Sequence, residues 1–586
     1  MKDNKEQLKQ RIINDVKSRT NLSISWLQKK YGIGFSLAKE IYSEYREAWE
    51  HNLRNTAEAI AEKLPKDRAD ALLEEMNKVI SNGGAQRIML ASLIATSLRS
   101  KRIQYIVAGN LSSSYLAYEL KIHNVDCFKY GIRPEICHGI DYKNNYSIEF
   151  RVAPEEISNV LSKLDKDLKG NLLREFTVYK NGKKGVIFTS RYYVVDSSIR
   201  SLTEDIEEAG VKYLNCLNNE VARESENRDK LIKIIIGGTA LLSIAYECTR
   251  KIEERLCLSG KTKKKRLFFS INKVEEENPD LIGTLIKADD NFYLPGFSSD
   301  YEYQIIKRTN PKSLNDFIKI LCASRGTGAW VDNQELLYKD EKRSLNHLIG
   351  SRDDVFDFAI SKGINVEESL KIMESVRKGK GVHERYRKII GDEYFDIFNK
   401  TKYLFTRGHI LQHIQTVLLV LFFRKNYPLE FFASRLELCN VHKIIDDTLL
   451  NGDVIDLEAY IAKMQHECSE LDSESKEYKG AVIKDKIRIT KLLILMKEEG
   501  IKLLKPDFNK SSSNTVLIDY GSNTLLLPLY SLPMSEDVAR AIVNEREKGK
   551  FRSLEDLRRR TGMPASTIEE LNNVYFFDRL AWTIIK

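Results

Sequence analysis

The first sixty residues show the hydrophobic spacing of helices separated by a tight turn. Apolar side chains recur at helical intervals at Ile24, Leu27, Tyr31, Leu37, Ala38 and Ile41. Gly32 and Gly34 interrupt this pattern, and glycine allows the chain to reverse at little steric cost. The spacing therefore predicts two short helices in a helix-turn-helix over residues 1–62. Any three-helix bundle can carry the same pattern, so simple packing is the alternative to DNA binding.

The following segment changes from helical to strand-like spacing. Helical periodicity from Asp67 to Ile122 is interrupted by an apolar run, Ile103–Gly109, and then by the sequence Asn110-Leu-Ser-Ser-Ser. A strand, a Gly/Ser turn and a helix together can present backbone N–H groups to a phosphate. The same unit is also common in proteins that bind no phosphate at this point.

Several short β-like runs follow, and they predict a mixed sheet. They are Tyr146–Val152, Arg174–Tyr179, Gly185–Thr189, Arg191–Val195 and the very apolar run Leu231–Gly238. From Thr239 to about Ile501 the pattern is almost entirely helical. We therefore expect a mostly helical α+β multidomain protein, divided into residues 1–62, 63–240, 241–440 and 441–586.

Composition and charge limit the classes of protein to which this chain could belong. The chain has 586 residues, of which 42% are hydrophobic and 30% charged, and its net charge is +9. The N-terminus is polar, and no apolar run approaches the roughly 20 residues of a membrane span. Eight cysteines occur without a C-x-x-C pair, which argues against a disulfide framework or a zinc ribbon. We expect a cytoplasmic protein with no membrane partner and no metal site of its own.

A series of motifs between Leu294 and Ser434 carries a family resemblance. They are Leu294-Pro-Gly-Phe, Ser324-Arg-Gly-Thr-Gly-Ala-Trp, Ser351-Arg-Asp-Asp-Val, Ile372-Met-Glu-Ser-Val-Arg-Lys-Gly-Lys-Gly, Lys402-Tyr-Leu-Phe and Tyr427-Pro-Leu-Glu-Phe-Phe-Ala-Ser. In this order they resemble the fingers domain of the PolC-type bacterial replicative DNA polymerase, the C-family α subunit of DNA polymerase III. The resemblance implies a palm-like mixed sheet before helical fingers.

Two further segments extend the resemblance towards DNA binding. Residues 527–557 are similar to the family's helix-hairpin-helix region, although the hairpin Leu532-Pro-Met-Ser lacks the expected glycines. The N-terminal helix-turn-helix, with Gly32-Ile-Gly-Phe before its second helix, is similar to the winged-helix module of bacterial DNA translocases. The family's clamp-binding tail is absent, so we do not expect the sliding clamp as a partner.

The resemblance also identifies positions that should carry catalytic carboxylates. Polymerases of this family use three aspartates to hold two metal ions, and two of them form a P-D-x-D pattern on one strand. The aligned residues here are Ser147, Glu149 and Ile235, which leave a single acid. We therefore expect no catalytic residues and no cofactor, with Mg²⁺ relevant only if polymerase activity is retained. The alternative is that Asp141, Asp196 or Glu204 supplies replacement ligands.

The candidate binding residues are basic side chains and the Gly/Ser turn. For nucleotide or phosphate they are Gly109, Ser112, Ser113, Ser114, Arg377, Lys378, Lys380, Arg407 and His409. For DNA they are Lys29, Lys30, Lys39, Lys263, Lys264, Lys265, Arg540, Arg546, Lys550 and Arg552. A solvated helix end is the alternative for the basic fingers residues, and a packing role is the alternative for His409.

These observations predict a DNA-binding PolC-like protein that is inactive as a polymerase. It would act as a replication accessory, an inhibitor or a sensor of DNA ends, encoded by a phage or mobile element. Its expected partners are primer-template or single-stranded DNA, with replisome proteins as further candidates. The alternatives are a divergent but active DNA-directed DNA polymerase, and a replisome-binding decoy that does not bind DNA.

Overall fold

A computed structural model describes most of the chain. The described residues are 2–16, 24–138, 147–167, 172–181, 184–194, 203–208, 211–217, 232–258, 267–286, 300–338, 343–439, 447–471, 475–552 and 554–573. They form many helices and two sheets, which confirms the predicted mostly helical α+β architecture. The chain divides into two compact units. The first comprises Met1–Ser243, Arg266–Ala288 and Ser299–Leu419, and the second comprises Ile244–Lys265, Asp289–Ser298 and Val420–Lys586.

The N-terminal segment consists of three helices. They are α1 (Lys2–Val16), α2 (Ile24–Tyr31) and α3 (Phe35–Ala61), with Gly32 in the turn at φ +63°. Their contact surface buries Ile12, Leu27, Ile33, Ala38, Ile41 and Tyr45. The helix-turn-helix was predicted, but α3 has 27 residues and is not short. The described part of residues 2–62 contains no strand that could form a wing.

Helices and strands alternate in the next segment of the first unit. The helices are α4 (Lys66–Ser81), α5 (Ala85–Ser100), α6 (Tyr115–Glu119), α7 (Pro134–His138) and α8 (Ile157–Asp167). The strands are β1 (Tyr105–Ala108), β2 (Ile148–Val152), β3 (Leu172–Asn181), β4 (Lys184–Val194), β5 (Thr203–Glu208), β6 (Val211–Leu217) and β7 (Ile232–Gly238). The two predicted runs 185–189 and 191–195 correspond to one strand, β4, whose described residues end at Val194.

These seven strands form one mixed sheet, which we call the palm-like sheet. Its strand order is β1-β2-β7-β4-β3-β6-β5, and β2 is parallel to β7. Ile148, Phe150 and Val152 point into the core, whereas Glu149 and Arg151 are half-buried on the opposite face. Successive side chains of a strand alternate between faces, so the polar side chains of β2 share one surface.

Further helices make up the rest of the first unit, and side chains cap several of them. They are the start of α9 (Ala240–Leu258), α10 (Ile271–Glu277), α11 (Asp280–Ile286), α12 (Asp300–Thr309), α13 (Leu314–Arg325), α14 (Arg352–Ser361), α15 (Val366–Arg377), α16 (Arg387–Ile390), α17 (Asp392–Lys400) and α18 (Arg407–Asn426) up to Leu419. Ser313 and Ser351 form capping boxes with Asp316 and Asp354, respectively, which satisfy N–H groups of the first helical turn. Phe356, Met373 and Phe398 belong to a buried cluster of this region.

The second unit continues α9 and α18 and adds helices and a small sheet. The helices are α19 (Pro428–Leu438), α20 (Asp447–Asn451), α21 (Val454–Ser469), α22 (Ser475–Glu498), α23 (Glu536–Arg546), α24 (Leu554–Thr561) and α25 (Ala565–Asn573). The strands β8 (Lys502–Leu504), β9 (Leu517–Asp519) and β10 (Thr524–Leu526) pair in the order β8-β10-β9. Buried ion pairs join α9 to α19, with Lys251 Nζ 2.6 Å from Glu437 and Arg255 Nη1 3.0 Å from Glu430. Of the helices described, none is both long and apolar enough to cross a bilayer.

Candidate functional site

The three positions aligned with metal-binding aspartates lie close together on the palm-like sheet. Ser147 directly precedes β2, and Glu149 on β2 is the register partner of Ile235 on β7. Side chains at i and i+2 of a strand, and register partners on neighbouring strands, point to the same face. The fold therefore brings together the positions that the sequence comparison identified, although they are separated by more than eighty residues in the chain.

A guanidinium lies on this face beside the only acid among the three positions. Arg151 forms an ion pair with Glu149 two residues away. Its side chain also covers Gly237, because a Cβ built on that glycine would lie 2.8 Å from Arg151 Cδ. Glycine at this point of β7 thus makes room for the arginine.

These residues do not fit a pair of divalent cations. Mg²⁺ requires several hard oxygen ligands, and here one carboxylate is neutralised by a neighbouring positive charge. Among the described residues, no group of three or more His, Cys, Asp or Glu side chains could hold a metal ion. Asp141 and Asp196 lie outside the described residues. Glu204 is on β5, four strands from β7 and therefore roughly 19 Å away at the usual strand spacing.

The histidine candidate of this region is neutral at physiological pH. The ring of His409 stacks on Phe405, with 5.3 Å between the ring centroids. Burial and the positive charges of Arg325 and Arg151 lower the pKa of His409 to about 4. Its neighbour one turn later, His413, has a lowered pKa for similar reasons, namely burial and the charge of Arg325. His409 therefore contributes a ring surface and no cation.

The Gly/Ser turn is filled by a carboxylate of the protein itself. Ser112, Ser113 and Ser114 are fully buried, and Gly109 has φ +71°. Glu75 accepts hydrogen bonds from Ser114 Oγ at 2.6 Å and from the Leu116 N–H at 2.9 Å.

A hydrogen bond within the turn and the packing of α18 further restrict access to the serines. Ser112 Oγ donates to the Gly109 carbonyl at 2.6 Å. A Cβ on Gly408 would lie 2.5 Å from Ser113 Oγ, which shows how closely α18 packs against the turn. In this conformation Ser112, Ser113 and Ser114 have no room for a phosphate, contrary to the prediction, because Glu75 and α18 pack against them. Gly109 is exposed, and a Cβ built on it would meet no atom within 4 Å, so its role in phosphate binding stays a prediction.

Arg407, which was predicted to bind nucleotide, is also used internally. It is buried and donates to Asp354 Oδ1 at 2.7 Å and to the Gly131 carbonyl at 3.1 Å. Burial opposes the ionisation of Asp354, but the charges of Arg407 and Lys319 outweigh it and lower the pKa of this carboxyl group. The structure thus gives Arg407 a packing role, because its guanidinium compensates a buried carboxylate.

The other basic fingers candidates differ in exposure. Arg377 and Lys378 pair with Glu374, with closest N–O distances of 2.9 and 3.1 Å. Lys378 and Lys380 are exposed, whereas Arg377 is half-buried. Of the predicted fingers set, only these two lysines are exposed, and Lys378 would share its charge with Glu374.

The predicted DNA-binding residues near the C-terminus also differ in exposure and in their internal partners. Arg540 pairs with Asp537 at 2.7 Å, and the half-buried Arg546 donates to the carbonyls of Phe508 and Ser511. Lys550 and Arg552 are exposed. In the N-terminal segment Lys29, Lys30 and Lys39 are exposed as well. Lys263, Lys264, Lys265 and the Leu294 motif lie outside the described residues.

Comparison with known proteins gives two family matches. Residues 250–393 match the bacterial DNA polymerase III alpha subunit finger domain, and residues 500–583 match a helix-hairpin-helix motif. The PolC-type DNA polymerase III of Listeria welshimeri is 31% identical over 288 residues, which are 48% of this chain and 19% of that protein. The chain is thus similar to PolC-type DNA polymerase III over about half of its length.

Other PolC-type relatives show the same extent of similarity. The protein of Mycoplasmopsis pulmonis is 28% identical over 298 residues, covering 50% of this chain and 20% of the relative. That of Caldanaerobacter subterraneus subsp. tengcongensis is 28% identical over 353 residues, covering 58% of this chain and 24% of the relative. The matches thus extend over only about a fifth to a quarter of the length of these PolC-type polymerases. The resemblance inferred from the fingers motifs and the helix-hairpin-helix region is confirmed.

Two important residues were not identified from the sequence as site residues. Arg151 could have been found, because it follows the P-D-x-D position on the same strand face. Glu75 carries no local signal, since it is 39 residues from Ser114 in the chain. Its role depends on the packing of α4 against the Gly/Ser turn.

Proposed function

We propose that this PolC-type relative binds DNA and does not polymerise nucleotides. The observation that carries the proposal is the Glu149–Arg151 ion pair beside Ile235, on the sheet face where the family's aspartates would lie. Polymerisation by two metal ions requires converging carboxylates. A carboxylate–guanidinium pair supplies one negative charge and one positive charge, so no net charge remains to attract the metals.

DNA binding is supported by features outside the palm-like sheet. The helix-hairpin-helix match at residues 500–583 is a motif that contacts the phosphate backbone. Exposed cations occur in that region and on α2 and α3, for example Lys550, Arg552 and Lys30. Contacts of this kind recognise phosphates and give binding that is salt-sensitive and largely independent of sequence.

The biological role we propose follows from binding without synthesis. A protein of this kind would act on replicating DNA in the cytoplasm as an accessory factor, an inhibitor or a sensor of DNA ends. We further propose that the four segments 1–62, 63–240, 241–440 and 441–586 act as a helical DNA-binding module, a palm-like scaffold, a fingers-like region and a second DNA-binding region. Replisome proteins are additional candidate partners.

Primer extension tests the absence of polymerase activity. The full chain is incubated with a primer-template and deoxynucleotides in Mg²⁺ or Mn²⁺, alongside Glu149→Ala as the matched variant. We expect no incorporation above background from either protein. Incorporation by the wild type that is lost in Glu149→Ala would show that Glu149 serves catalysis and would refute the proposal.

Fluorescence anisotropy with labelled duplex and single-stranded DNA tests binding. We expect the affinity to fall at least about tenfold between ~50 and ~200 mM salt, because several phosphate contacts release counterions. A protein with no measurable, salt-dependent affinity for DNA would instead be a decoy for replisome partners. That result would disprove DNA binding while leaving the family relationship intact.

A further inference from the structure

The loop between α23 and α24 presents a group of exposed cations. We call residues 547–552 the basic loop, and its cationic side chains are Lys548, Lys550 and Arg552. All three are exposed, and Lys548 pairs with Glu545 at 2.6 Å. Within the described part of the chain, Lys550 and Arg552 take part in no ion pair. Their charges are thus available to a negatively charged partner.

Arg560 holds the basic loop from its inner side. Its guanidinium donates to the carbonyls of Gly549 at 2.9 Å and Lys550 at 3.4 Å, and also to that of Glu545. It stacks on the buried ring of Phe551, 4.4 Å from the ring centroid. The electronegative carbonyls therefore face Arg560, and the lysine and arginine side chains extend on the solvent side.

The loop also has room for close approach of a ligand. Gly549 has φ +137°, a conformation that favours glycine, and a Cβ built on it would meet no atom within 4 Å. On α24, Arg558 and Arg559 are exposed and Arg559 pairs with Asp556 at 3.1 Å, although the first turn of this helix also carries the acids Glu555 and Asp556. An open loop that is held by Arg560 and carries exposed cations suits a row of phosphates.

The neighbouring hairpin has the opposite character. The residues after Leu532-Pro-Met-Ser are the half-buried Glu536 and the exposed Asp537, both in the first turn of α23. The Ser535 hydroxyl already accepts from the Val538 N–H at 3.3 Å. Two carboxylates and an internal cap at this helix start would repel a phosphate rather than bind it.

We infer that the basic loop, and not the Leu532–Ser535 hairpin, contacts the phosphate backbone of duplex DNA. This inference rests on the proposed DNA-binding function and specifies its site. Lys550 and Arg552 contact phosphates directly, and Arg560 positions the loop without contacting DNA. The proposed phosphate contact thus lies after α23, whereas the hairpin lies before α23.

The test uses the full chain carrying Lys550→Gln and Arg552→Gln together. We expect its affinity for a duplex of about 20 base pairs to fall roughly five- to twentyfold at ~0.1 M salt. We also expect the negative slope of log K against log salt to become smaller in magnitude by about 1.8, because two phosphate contacts are lost. The matched control is Lys463→Gln with Lys484→Gln. It removes an equal number of positive charges, two, from exposed positions of α21 and α22. We expect this control to keep the wild-type slope and to lose less than about threefold in affinity.

The possible outcomes separate this inference from the function on which it rests. A wild type that binds duplex DNA together with a loop variant of unchanged affinity and slope overturns the inference and leaves DNA binding in place. Equal losses in the loop variant and the control also overturn it, because the effect is then one of net charge. A wild type without salt-dependent DNA binding overturns both proposals. Circular dichroism of each variant confirms that it is folded.

Discussion

At the scale of single residues, charge decides what the palm-like sheet can do. Arg151 places a fixed positive charge beside Glu149, and Gly237 provides the space for it. The nearby His409 responds to this charge and to burial by remaining neutral. The charge of Glu149 on this face is thus balanced by a guanidinium of the protein itself.

Protonation of a buried histidine should destabilise the protein in mild acid. His123 accepts a hydrogen bond from the Val125 N–H at its Nδ1, 3.2 Å away, so its Nε2 carries the proton that is donated to the Ser114 carbonyl at 2.9 Å. Burial lowers the pKa of His123 to about 4, partly opposed by the Ser114 hydrogen bond. The unfolded chain, with a histidine pKa near 6.5, therefore binds the proton first.

The stability contributed by this histidine is thus complete above about pH 6.5 and is lost as the pH falls towards 4. We expect His123 to account for about 2 kcal/mol of lost unfolding free energy between pH 7 and pH 5, measured by urea denaturation. His123→Asn should reduce this difference, and His466→Gln at an exposed site should not. An unchanged pH dependence in His123→Asn would contradict the assignment.

Arg407 should be required for stability rather than for ligand binding. Removing it in Arg407→Ala leaves Asp354 buried with less positive charge nearby. We expect a loss of about 3–5 kcal/mol in unfolding free energy, the usual effect of breaking a buried ion pair. Lys380→Ala, at an exposed residue, should change stability by less than about 0.5 kcal/mol. A stable Arg407→Ala protein with weakened nucleotide or DNA binding would show that Arg407 has the ligand role predicted from the sequence.

At the scale of secondary-structure elements, the Gly/Ser turn shows how one contact can replace another. The strand, turn and helix expected for phosphate binding are present as β1, residues 109–114 and α6. Glu75 on α4 supplies the acceptor that a phosphate would otherwise provide. The element was thus predicted correctly, whereas its partner is a carboxylate from another helix.

Truncation of Glu75 should therefore weaken the junction of α4 with the turn. We expect Glu75→Ala to lower the unfolding free energy by about 2–4 kcal/mol, because a buried hydroxyl and an N–H group lose their acceptor. Glu75→Gln retains one acceptor oxygen and should cost less. The control Glu74→Ala, at an exposed neighbour that pairs with Lys78 on the helix surface, should cost less than about 0.5 kcal/mol. Equal effects of Glu74→Ala and Glu75→Ala on the unfolding free energy would argue against a stabilising role of Glu75 in the Gly/Ser turn.

At the scale of the whole molecule, the fold should not depend on divalent metal. The described residues contain no cluster of metal ligands, and the face aligned with the metal site carries an internal ion pair. A bound ligand raises stability in proportion to the logarithm of its concentration over its dissociation constant. Without a site, Mg²⁺ should act only through ionic strength.

We expect the melting temperature to be the same within about 1 °C in EDTA, in about 5 mM MgCl₂ and in NaCl of equal ionic strength. Differential scanning calorimetry makes this comparison directly. A rise in melting temperature with Mg²⁺ that NaCl does not reproduce would reveal a metal site and would favour the active-polymerase alternative. Such a rise that disappears in Glu149→Ala would place the metal on the palm-like sheet.

The sequence by itself determined most of the elements and the family resemblance. Local hydrophobic spacing was enough to predict the N-terminal helix-turn-helix, the strands of the mixed sheet other than β5 and β6, and the long helical region, since periodicity reflects which side of a helix or strand is buried. The ordered fingers motifs predicted the PolC-type relationship that the comparisons confirm. The sequence alone also predicted that only one of the three aligned positions, Glu149, carries a carboxylate.

The tertiary structure decided which polar residues are available to a ligand. Ser112–Ser114 and Arg407 look like binding residues in the chain, but Glu75 and Asp354 satisfy them from distant segments. Glu149 and Ile235 are likewise neighbours only because of the register in which the parallel strands β2 and β7 pair. Local sequence specifies a side chain's chemistry, whereas its burial and its partner depend on long-range packing, which the pattern along the chain does not contain.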